Sequence, residues 1–414
     1  MNSVPNANDN RRLAQAGATN PREPSRRDFL AASAVGLVEL ARGSKSLAWG
    51  EKSQLDGDLL YVGTYTEGGR PDGIYLIRMD RRSGKLRRVG SVNAGANPSF
   101  LAIHPNGRVL YAVNEVEKHN GRTTGAVSAF TIASDTGALT RRNEQPSEGG
   151  APCFVSVDRS GRVVLVANYV GGNVALLPIQ ADGALAPATQ VVQHTGTGPN
   201  AARQDAAHAH CIVADPSNRF VLAADLGVDR VFVYRLDLDR KSLRHIEGGD
   251  AVMRPGAGPR HIAFHPTLPL VFVVNELDST VTRLRFDAER GVLSPLDSRS
   301  TVPAGWTGAN YPADIHVASS GRTLYVSNRG HNSLAVFSVA ESTGALALDQ
   351  VVSTGGDWPR NFSLDPSGRW LLVANQRSNS VVVFGRDQES GRLTPTRLSV
   401  ALPSPVCLRF WRTP

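Results

Sequence analysis

The chain has 414 residues, of which 41% are hydrophobic, and it contains 40 glycines and 25 prolines. Its formal net charge is +8. Glycine and proline at this frequency suit many short strands joined by tight turns, and after the N-terminal segment no run of about ten residues has a helical period. The positive charge is spread along the chain without an aromatic-interleaved basic stripe, which argues against nucleic-acid binding.

The first fifty residues differ from the rest and hold seven Lys or Arg against four Asp or Glu. Residues 25–30 read Ser-Arg-Arg-Asp-Phe-Leu, and the apolar segment 31–40 behind them is too short to span a membrane. A basic region, an arginine pair and a small-residue apolar region in this order predict a signal for the twin-arginine (Tat) export machinery. The alternative is a disordered basic tail. We expect residues 1–50 to comprise a twin-arginine signal peptide and a disordered N-terminal segment, with cleavage after Ala48, and the mature protein to be periplasmic.

Beyond this segment the chain repeats one unit seven times. Each copy has a proline-like entry, a short apolar strand, a turn such as the Asp-Pro-Ser-Gly-Arg at 365–369, and a β-branched strand that ends on Asn, Asp or Thr. These strand-terminal residues are Thr64, Asn114, Asn168, Asp225, Asn275, Asn328 and Asn375. They are separated by 50, 54, 57, 50, 53 and 47 residues, and a period of about 50 predicts a propeller or a repeat array.

Two further strands follow in every repeat. The third strand of each unit is predicted at 73–79, 125–132, 173–179, 230–236, 279–286, 333–339 and 380–384. A turn and a fourth short strand come next, as in the Thr-Gly-Ala-Leu at 136–139. Four strands per unit make one blade, so we predict that residues 51–414 form an all-β, seven-bladed β-propeller with four antiparallel strands per blade.

The ring is predicted to close through the two ends of the chain. The first unit lacks an innermost strand before residue 60, whereas residues 404–410 form an entry and an inner strand with no outer strands behind them. We therefore expect the C-terminal strand to complete the N-terminal blade, because this removes an open sheet edge.

Candidate functional residues are those in which the repeats differ near the inner strands. The position after the entry proline holds Ser99, Cys153, His210, Arg260, Ala313, Arg360 and Val406. The position directly after the strand-terminal residue holds Tyr65, Glu115, Tyr169, Leu226, Glu276, Arg329 and Gln376. These two sets are called the entry ring and the exit ring, and both are expected to face the central channel.

Three arginines, one or two carboxylates and a histidine are predicted to meet at one mouth of this channel. Arg260, Arg329 and Arg360 suit the recognition of a carboxylate or phosphate and the stabilisation of an oxyanion. Glu276 or His210 is placed to act as general base toward water attacking an ester carbonyl. The alternative is that Arg260, Glu276 and Arg329 form only an ion-pair network that caps the channel.

The remaining histidines and cysteines have structural interpretations. His104 and His265 precede proline in outer turns, and His261 and His316 are expected to pack on inner strands. The three cysteines, Cys153, Cys211 and Cys407, lie at inner-strand entries and form neither a disulfide framework nor a zinc-binding spacing.

Over about residues 58 to 412 the chain resembles the seven-bladed propeller lactonase family, which includes 6-phosphogluconolactonases and fungal carboxymuconate lactonising enzymes. The resemblance rests on the segments 61–66, 97–99, 111–115, 208–210, 258–261, 275–276 and 327–329. It implies a metal-free reaction without a cofactor. The catalytic residues that it implies are His210, with His208 as the rival, together with Arg260, Glu276 and Arg329. We further expect His208, Arg360, Glu115 and Asn275 to bind substrate.

The sequence thus predicts a lactonase that hydrolyses the ester bond of a sugar or carboxylated lactone. Two alternatives stay open: a non-catalytic module that binds an anionic ligand or a protein partner, and a muconate-type lactone cycloisomerase. The expected partners are a small anionic lactone and the Tat machinery, with no nucleic acid and no membrane span. The expected assembly is a monomer or a small homo-oligomer. One departure from the family is that its phosphogluconolactonases serve a cytosolic pathway, whereas this chain carries an export motif.

Overall fold

A computed structural model describes residues 57–66 and 69–412, and the predicted signal lies outside these described residues. In the described part the chain forms 29 β-strands and no α-helix. That part also contains no helix of the length and hydropathy needed to cross a membrane.

The strands form seven antiparallel sheets, which confirms the predicted seven-bladed β-propeller. Blade 1 consists of β1 (Asp58–Thr64), β2 (Ile74–Met79), β3 (Leu86–Val92) and β29 (Pro405–Trp411). Blade 2 consists of β4 (Leu101–Ile103), β5 (Val109–Asn114), β6 (Ala126–Ile132) and β7 (Leu139–Pro146). Blade 3 consists of β8 (Pro152–Val157), β9 (Val163–Asn168), β10 (Asn173–Pro178) and β11 (Gln190–Gln193). Blade 4 consists of β12 (Ala209–Ala214), β13 (Phe220–Asp225), β14 (Arg230–Asp237), β15 (Ser242–His245) and β16 (Ala251–Val252). Blade 5 consists of β17 (Pro259–Phe264), β18 (Leu270–Asn275), β19 (Thr280–Asp287) and β20 (Val292–Ser300). Blade 6 consists of β21 (Tyr311–Val317), β22 (Thr323–Arg329), β23 (Ser333–Val339) and β24 (Leu346–Ser353). Blade 7 consists of β25 (Pro359–Leu364), β26 (Trp370–Asn375), β27 (Ser380–Arg386) and β28 (Leu393–Ala401).

The C-terminal strand closes the ring as predicted. β29 pairs antiparallel with β1, and the register runs from Leu59 opposite Trp411 to Thr64 opposite Pro405. Blade 1 therefore has its innermost strand from one end of the described chain and its other three from the opposite end. Closure of this kind leaves the blade without an unpaired inner edge.

The core lies between neighbouring blades, on both faces of the second strand of each sheet. Six of these seven second strands, β5 and β18 among them, are buried at every position, which explains their continuous runs of Val, Leu and Phe. Buried tyrosines of three second strands also tie one blade to the next, because Tyr61, Tyr111 and Tyr325 donate to glycine carbonyls of the neighbouring blade at 2.7 to 3.0 Å. A buried phenol needs such an acceptor.

The outer turns follow the residue types expected from the sequence. In Asp215, Oδ1 accepts from the backbone N–H groups of Arg219 and Phe220, and Oδ2 accepts from Ser217. His265 occupies the equivalent place in blade 5, where Nε2 contacts the carbonyl of Gly321 at 3.0 Å. His104 does the same toward Gly161, so both histidines are turn residues, as predicted.

Candidate active site

The entry ring is directed into the channel by irregularities of the innermost strands. In β8, β12, β17 and β25 the pairing register shifts directly after the first residue of the strand. The residues that these shifts skip are Cys153, His210, Arg260 and Arg360. A bulge of this kind re-aims a side chain, so the backbone itself separates these four residues from the regular alternation of their strands.

The residue before each entry proline anchors the exit ring. Asn97, Ala151, Gly258 and Trp358 have positive φ values of 46 to 66°, and for non-glycine residues this conformation persists only where surrounding contacts hold it. Their carbonyl groups accept the backbone N–H of the exit-ring residue in the same blade, for example from Glu276 to Gly258 at 2.7 Å. The two rings are therefore fixed to each other at one end of the channel.

Glu276 is at the centre of the first of two charged clusters. Its Oε1 accepts from Arg203 at 2.6 Å, and its Oε2 accepts from Arg260 at 2.9 Å and from Arg329 at 2.6 Å. The solvent-exposed fractions of the four residues are only 2 to 6%. Arg260 also donates to the carbonyl of Ala313, and Arg329 to that of Tyr311. The ion-pair network considered from the sequence thus exists, with Arg203 as an additional member.

The three guanidiniums determine the protonation state of Glu276. Burial alone raises the pKa of a carboxyl, but Arg329, Arg203 and Arg260 together outweigh burial and hold the pKa of Glu276 well below its usual range. Glu276 is therefore ionised at neutral pH. Because its charge is stabilised so strongly, this carboxylate has little tendency to accept a proton from water.

The second cluster surrounds Glu115. Its two oxygens accept from the hydroxyl of Tyr65 at 2.9 Å, and Oε2 also accepts from Ser99 at 2.5 Å. The Arg360 guanidinium lies 5.4 Å from the centre of the Tyr65 ring. Among the described residues, no hydrogen bond or ion pair joins Arg360 to another side chain. Glu115 and Arg360 are both half-buried, unlike the members of the Glu276 cluster.

A small cavity connects the two clusters. Its polar lining comes from Ser99, Glu115, Arg260, His261 and Arg360, and its volume of about 10 Å³ corresponds to about one water molecule. Arg260 belongs both to this lining and to the Glu276 cluster. A small ligand that enters the channel mouth therefore meets guanidinium groups from both clusters.

His210 and His208 both pack against the ring of Tyr169. His210 is buried, its Nδ1 is 3.6 Å from the thiol of Cys153, and its ring packs edge-on against Tyr169 and His261. Burial and the charge of Arg260 hold the pKa of His210 well below its usual range, so this imidazole is neutral. His208 instead stacks on the Tyr169 ring, with centroids 4.5 Å apart, and contacts Asp205 at 3.1 Å.

His261 and His316, expected as packing residues, belong to a polar chain behind Arg260. His261 accepts from Nη1 of Arg260 at 3.1 Å through Nε2, so its other nitrogen carries the proton and donates to Asp314 at 2.8 Å. His316 contacts the second oxygen of Asp314 at 2.9 Å. Burial lowers the pKa of His261 to about 3. This neutral histidine therefore holds Arg260 from behind without adding charge to the site.

Asn275 and Arg203 depart from what the sequence predicts. The Asn275 side chain is not directed toward the clusters, because its amide donates to the hydroxyls of Thr280 and Thr282 within its own blade at 2.8 Å. Arg203 is missing from the sequence-based set because it lies in the segment between β11 and β12, outside the aligned rings. The longest repeat spacing, 57 residues between Asn168 and Asp225, contains this segment and is the signal that points to it.

Two other features of the described region lie outside this site. A larger groove of about 930 Å³ lies between blades 2 and 3 at the opposite ends of their strands, where Arg142 pairs with Asp182 and Arg162 with Asp239 at the surface. These exposed pairs contribute little, and the groove lacks the buried charges of the channel. The described residues also contain no group of three or more His, Cys, Asp or Glu arranged to hold a metal ion.

Comparison with known proteins adds independent information. The chain matches a family described as lactonase, 7-bladed beta-propeller over residues 59–410. It is 39% identical over 350 residues to a 6-phosphogluconolactonase of Bacillus subtilis, covering 84% of this chain and 97% of that protein. It is 34% identical over 293 residues to a 6-phosphogluconolactonase of Formosa agariphila, covering 70% of this chain and 81% of that protein. Among solved structures it is similar to a periplasmic gluconolactonase of Pseudomonas aeruginosa, with a TM-score of 0.80, 35% identity and coverage of 86% of this chain and 99% of that chain. The similarity therefore extends over nearly the whole propeller.

Proposed function

The chain belongs to the lactonase family of seven-bladed β-propellers, and on that premise we propose that it hydrolyses an anionic sugar lactone at the channel mouth. The charge of the site carries this proposal. Four guanidiniums, those of Arg203, Arg260, Arg329 and Arg360, surround only two carboxylates, Glu276 and Glu115. The surplus positive charge favours a substrate with a carboxylate or phosphate group, as in the 6-phosphogluconolactone implied by the names of the relatives.

The arginines divide into two roles in this proposal. Arg360, which has no hydrogen-bonded partner among the described residues, holds the anionic group of the substrate. Arg260 lines the cavity and is fixed by Glu276 and His261, so it is preorganised to stabilise negative charge that develops on the lactone carbonyl oxygen. Arg329 shares the Glu276 carboxylate with Arg260, and His210 and His208 pack against Tyr169.

Hydrolysis of a lactone panel, followed by proton release, tests this function. We expect the wild-type protein to open phosphorylated or carboxylated sugar lactones faster than neutral ones. Arg360→Gln should raise KM for the anionic lactone by about tenfold to a hundredfold, the range for a charge-assisted hydrogen bond, and leave KM for a neutral lactone unchanged. Arg285→Gln, on an exposed outer position of β19, is the matched control.

The result that contradicts the proposal is equally specific. If no lactone is hydrolysed while an anionic sugar still binds and Arg360→Gln weakens that binding, the channel is a binding site without turnover. Formation of a lactone from an open-chain acid, in the absence of hydrolysis, indicates a cycloisomerase instead.

We also propose that the enzyme acts in the periplasm. Residues 25–30 carry the twin-arginine pattern, and a solved relative with 35% identity is named as a periplasmic gluconolactonase. A periplasmic location makes an exogenous sugar lactone a more accessible substrate than a cytosolic intermediate.

A further inference from the structure

We infer that Glu115 is a further catalytic residue, the general base that takes a proton from the attacking water. This inference rests on the proposed lactone hydrolysis. It assigns to the second cluster the proton transfer for which the sequence offers only Glu276 and His210.

The two carboxylates of the channel have different hydrogen-bond partners. Both oxygens of Glu276 accept from guanidiniums, whereas both oxygens of Glu115 accept only from the neutral hydroxyls of Tyr65 and Ser99. A carboxylate that is bound by hydroxyls keeps more of its basicity than one that is bound by three cations. Glu115 is therefore the carboxylate of this site that is better able to accept a proton.

Glu115 is also the carboxylate that a water molecule reaches. It lines the small cavity between the clusters together with Arg260 and Arg360, and it is half-buried, whereas Glu276 is 4% exposed. The cavity has room for about one water molecule beside the carboxylate. If the carbonyl oxygen of a lactone points toward Arg260, a water molecule held by Glu115 lies next to the carbonyl carbon.

The groups around Glu115 support this assignment. The titratable and charged groups around it are Arg360 from β25, Arg260 and His261 from β17, Tyr65, which follows β1, and Cys153 from β8. Ser99 donates to it from the entry of blade 2. Burial raises the pKa of Glu115 above its usual value, although Arg360, Ser99, Tyr65 and Arg260 oppose this rise. His210 is less suited to the role, since burial and Arg260 hold its pKa well below the usual range.

The proposed step is a balanced hydrolysis. Glu115 takes one proton from water as the water oxygen bonds to the lactone carbonyl carbon, and the negative charge moves to the carbonyl oxygen beside Arg260. When the tetrahedral intermediate collapses, the bond from that carbon to the ring oxygen breaks. The ring oxygen leaves as an alcohol by taking the proton back from Glu115, and the product is a hydroxy acid.

Replacement of Glu115 by Gln is the direct test. We expect Glu115→Gln to lower kcat by about a hundredfold or more, with KM changed by less than about threefold, and to abolish the acidic limb of the pH–rate profile. Glu289→Gln, in an exposed turn of blade 5, is the control. An active Glu115→Gln that retains both kcat and the acidic limb overturns the inference.

A second variant keeps the test decisive if Glu115→Gln unfolds. Tyr65→Phe removes a hydroxyl that stabilises the charged carboxylate, so the pKa of Glu115 should rise and the acidic limb should move to higher pH. An acidic limb at the wild-type pH in Tyr65→Phe, measured on folded protein, contradicts the assignment. The wild-type enzyme separates the two proposals: if it opens no lactone the proposed function fails, and if it does while Glu115→Gln matches it, only this inference fails.

Discussion

At the scale of single residues, the structure separates charge balance from proton transfer. Glu276 has the position expected of a catalytic carboxylate, but three buried guanidiniums converge on it. Without Glu276, each of them would lose its carboxylate counter-ion and keep only neutral hydrogen-bond partners. Removing one partner of a buried ion pair costs about 3–5 kcal/mol because the remaining charge stays desolvated. We therefore interpret Glu276 as the counter-ion that allows three arginines to lie close together at one end of the channel.

Glu276→Gln should consequently destabilise the fold as well as the site. We expect the melting temperature to fall at neutral pH and the affinity for an anionic lactone to change together with kcat. The matched control is Glu341→Gln, whose exposed partner Arg322 lies 3.9 Å away and contributes less than about 1 kcal/mol. A Glu276→Gln protein with a wild-type melting temperature, normal KM and a large loss of kcat would instead identify Glu276 as the base.

The pH dependence of stability gives a second measurement for the same variant. Since the folded-state pKa of Glu276 is depressed, its stabilising contribution is complete above the ordinary pKa of 4.5 and is lost as pH falls below that value. The melting temperature of the wild-type protein should therefore decline below about pH 4.5 more steeply than that of Glu276→Gln.

At the scale of the strands, the end of the chain completes the first blade. β29 pairs with β1 over its length, and two of its residues also contact the neighbouring blades. The backbone N–H of Leu408 donates to Asn361 at 2.7 Å, and the indole of Trp411 donates to the carbonyl of Gly107 at 2.7 Å. Without β29, the buried faces of β1 and of the adjoining inner strands would be exposed together.

Truncation after Leu402 should therefore remove most of the soluble protein, because it exposes a strand edge and apolar inner surface at once. Truncation after Arg412, which leaves β29 intact, is the control. The measurements are soluble yield and melting temperature. A soluble truncation after Leu402 that melts at the wild-type temperature would show that β29 is not needed for closure.

The sequence was sufficient for the strands and the ring closure, because proline entries, turns and strand-terminal residues recur in every repeat. The same alignment identifies Arg260 and Arg360, since each follows an entry proline at which the strand bulges toward the channel. It does not reveal which side chains pair across the ring, because those contacts join different blades. Arg203 belongs to no aligned position of the repeat, although it donates to Glu276. The Asn275 side chain turns away from the site because it donates to two threonines of its own blade, and threonines in a strand give no signal of such a contact.

At the scale of the whole molecule, the closed ring joins the first and last strands of a propeller that spans more than three hundred residues. The pairing of Leu59 with Trp411 is among the most distant contacts in the sequence, and contacts of this kind form late because a long loop must close first. The channel mouth brings together residues of all seven blades. The site therefore depends on completion of the entire ring.

The predicted export signal would act on the protein as a whole. The Tat export machinery is expected to recognise residues 25–30, and this recognition is expected to depend on the arginine pair. Arginine offers a planar, five-donor guanidinium that lysine lacks, so exchanging the pair for lysines keeps the charge and removes the recognised group. Arg26→Lys with Arg27→Lys should leave the full-length protein in the cytoplasm, whereas the wild type should reach the periplasm.

Fractionation of cells followed by mass measurement of the recovered protein tests this prediction. Arg11→Lys with Arg12→Lys is the matched control, because it makes the same exchange in the same basic segment outside the predicted motif. The control should be exported and cleaved like the wild type, with a mass that corresponds to removal of the segment ending at Ala48. If the lysine pair at 26 and 27 is exported equally well, only the positive charge of the segment matters and the twin-arginine interpretation is wrong.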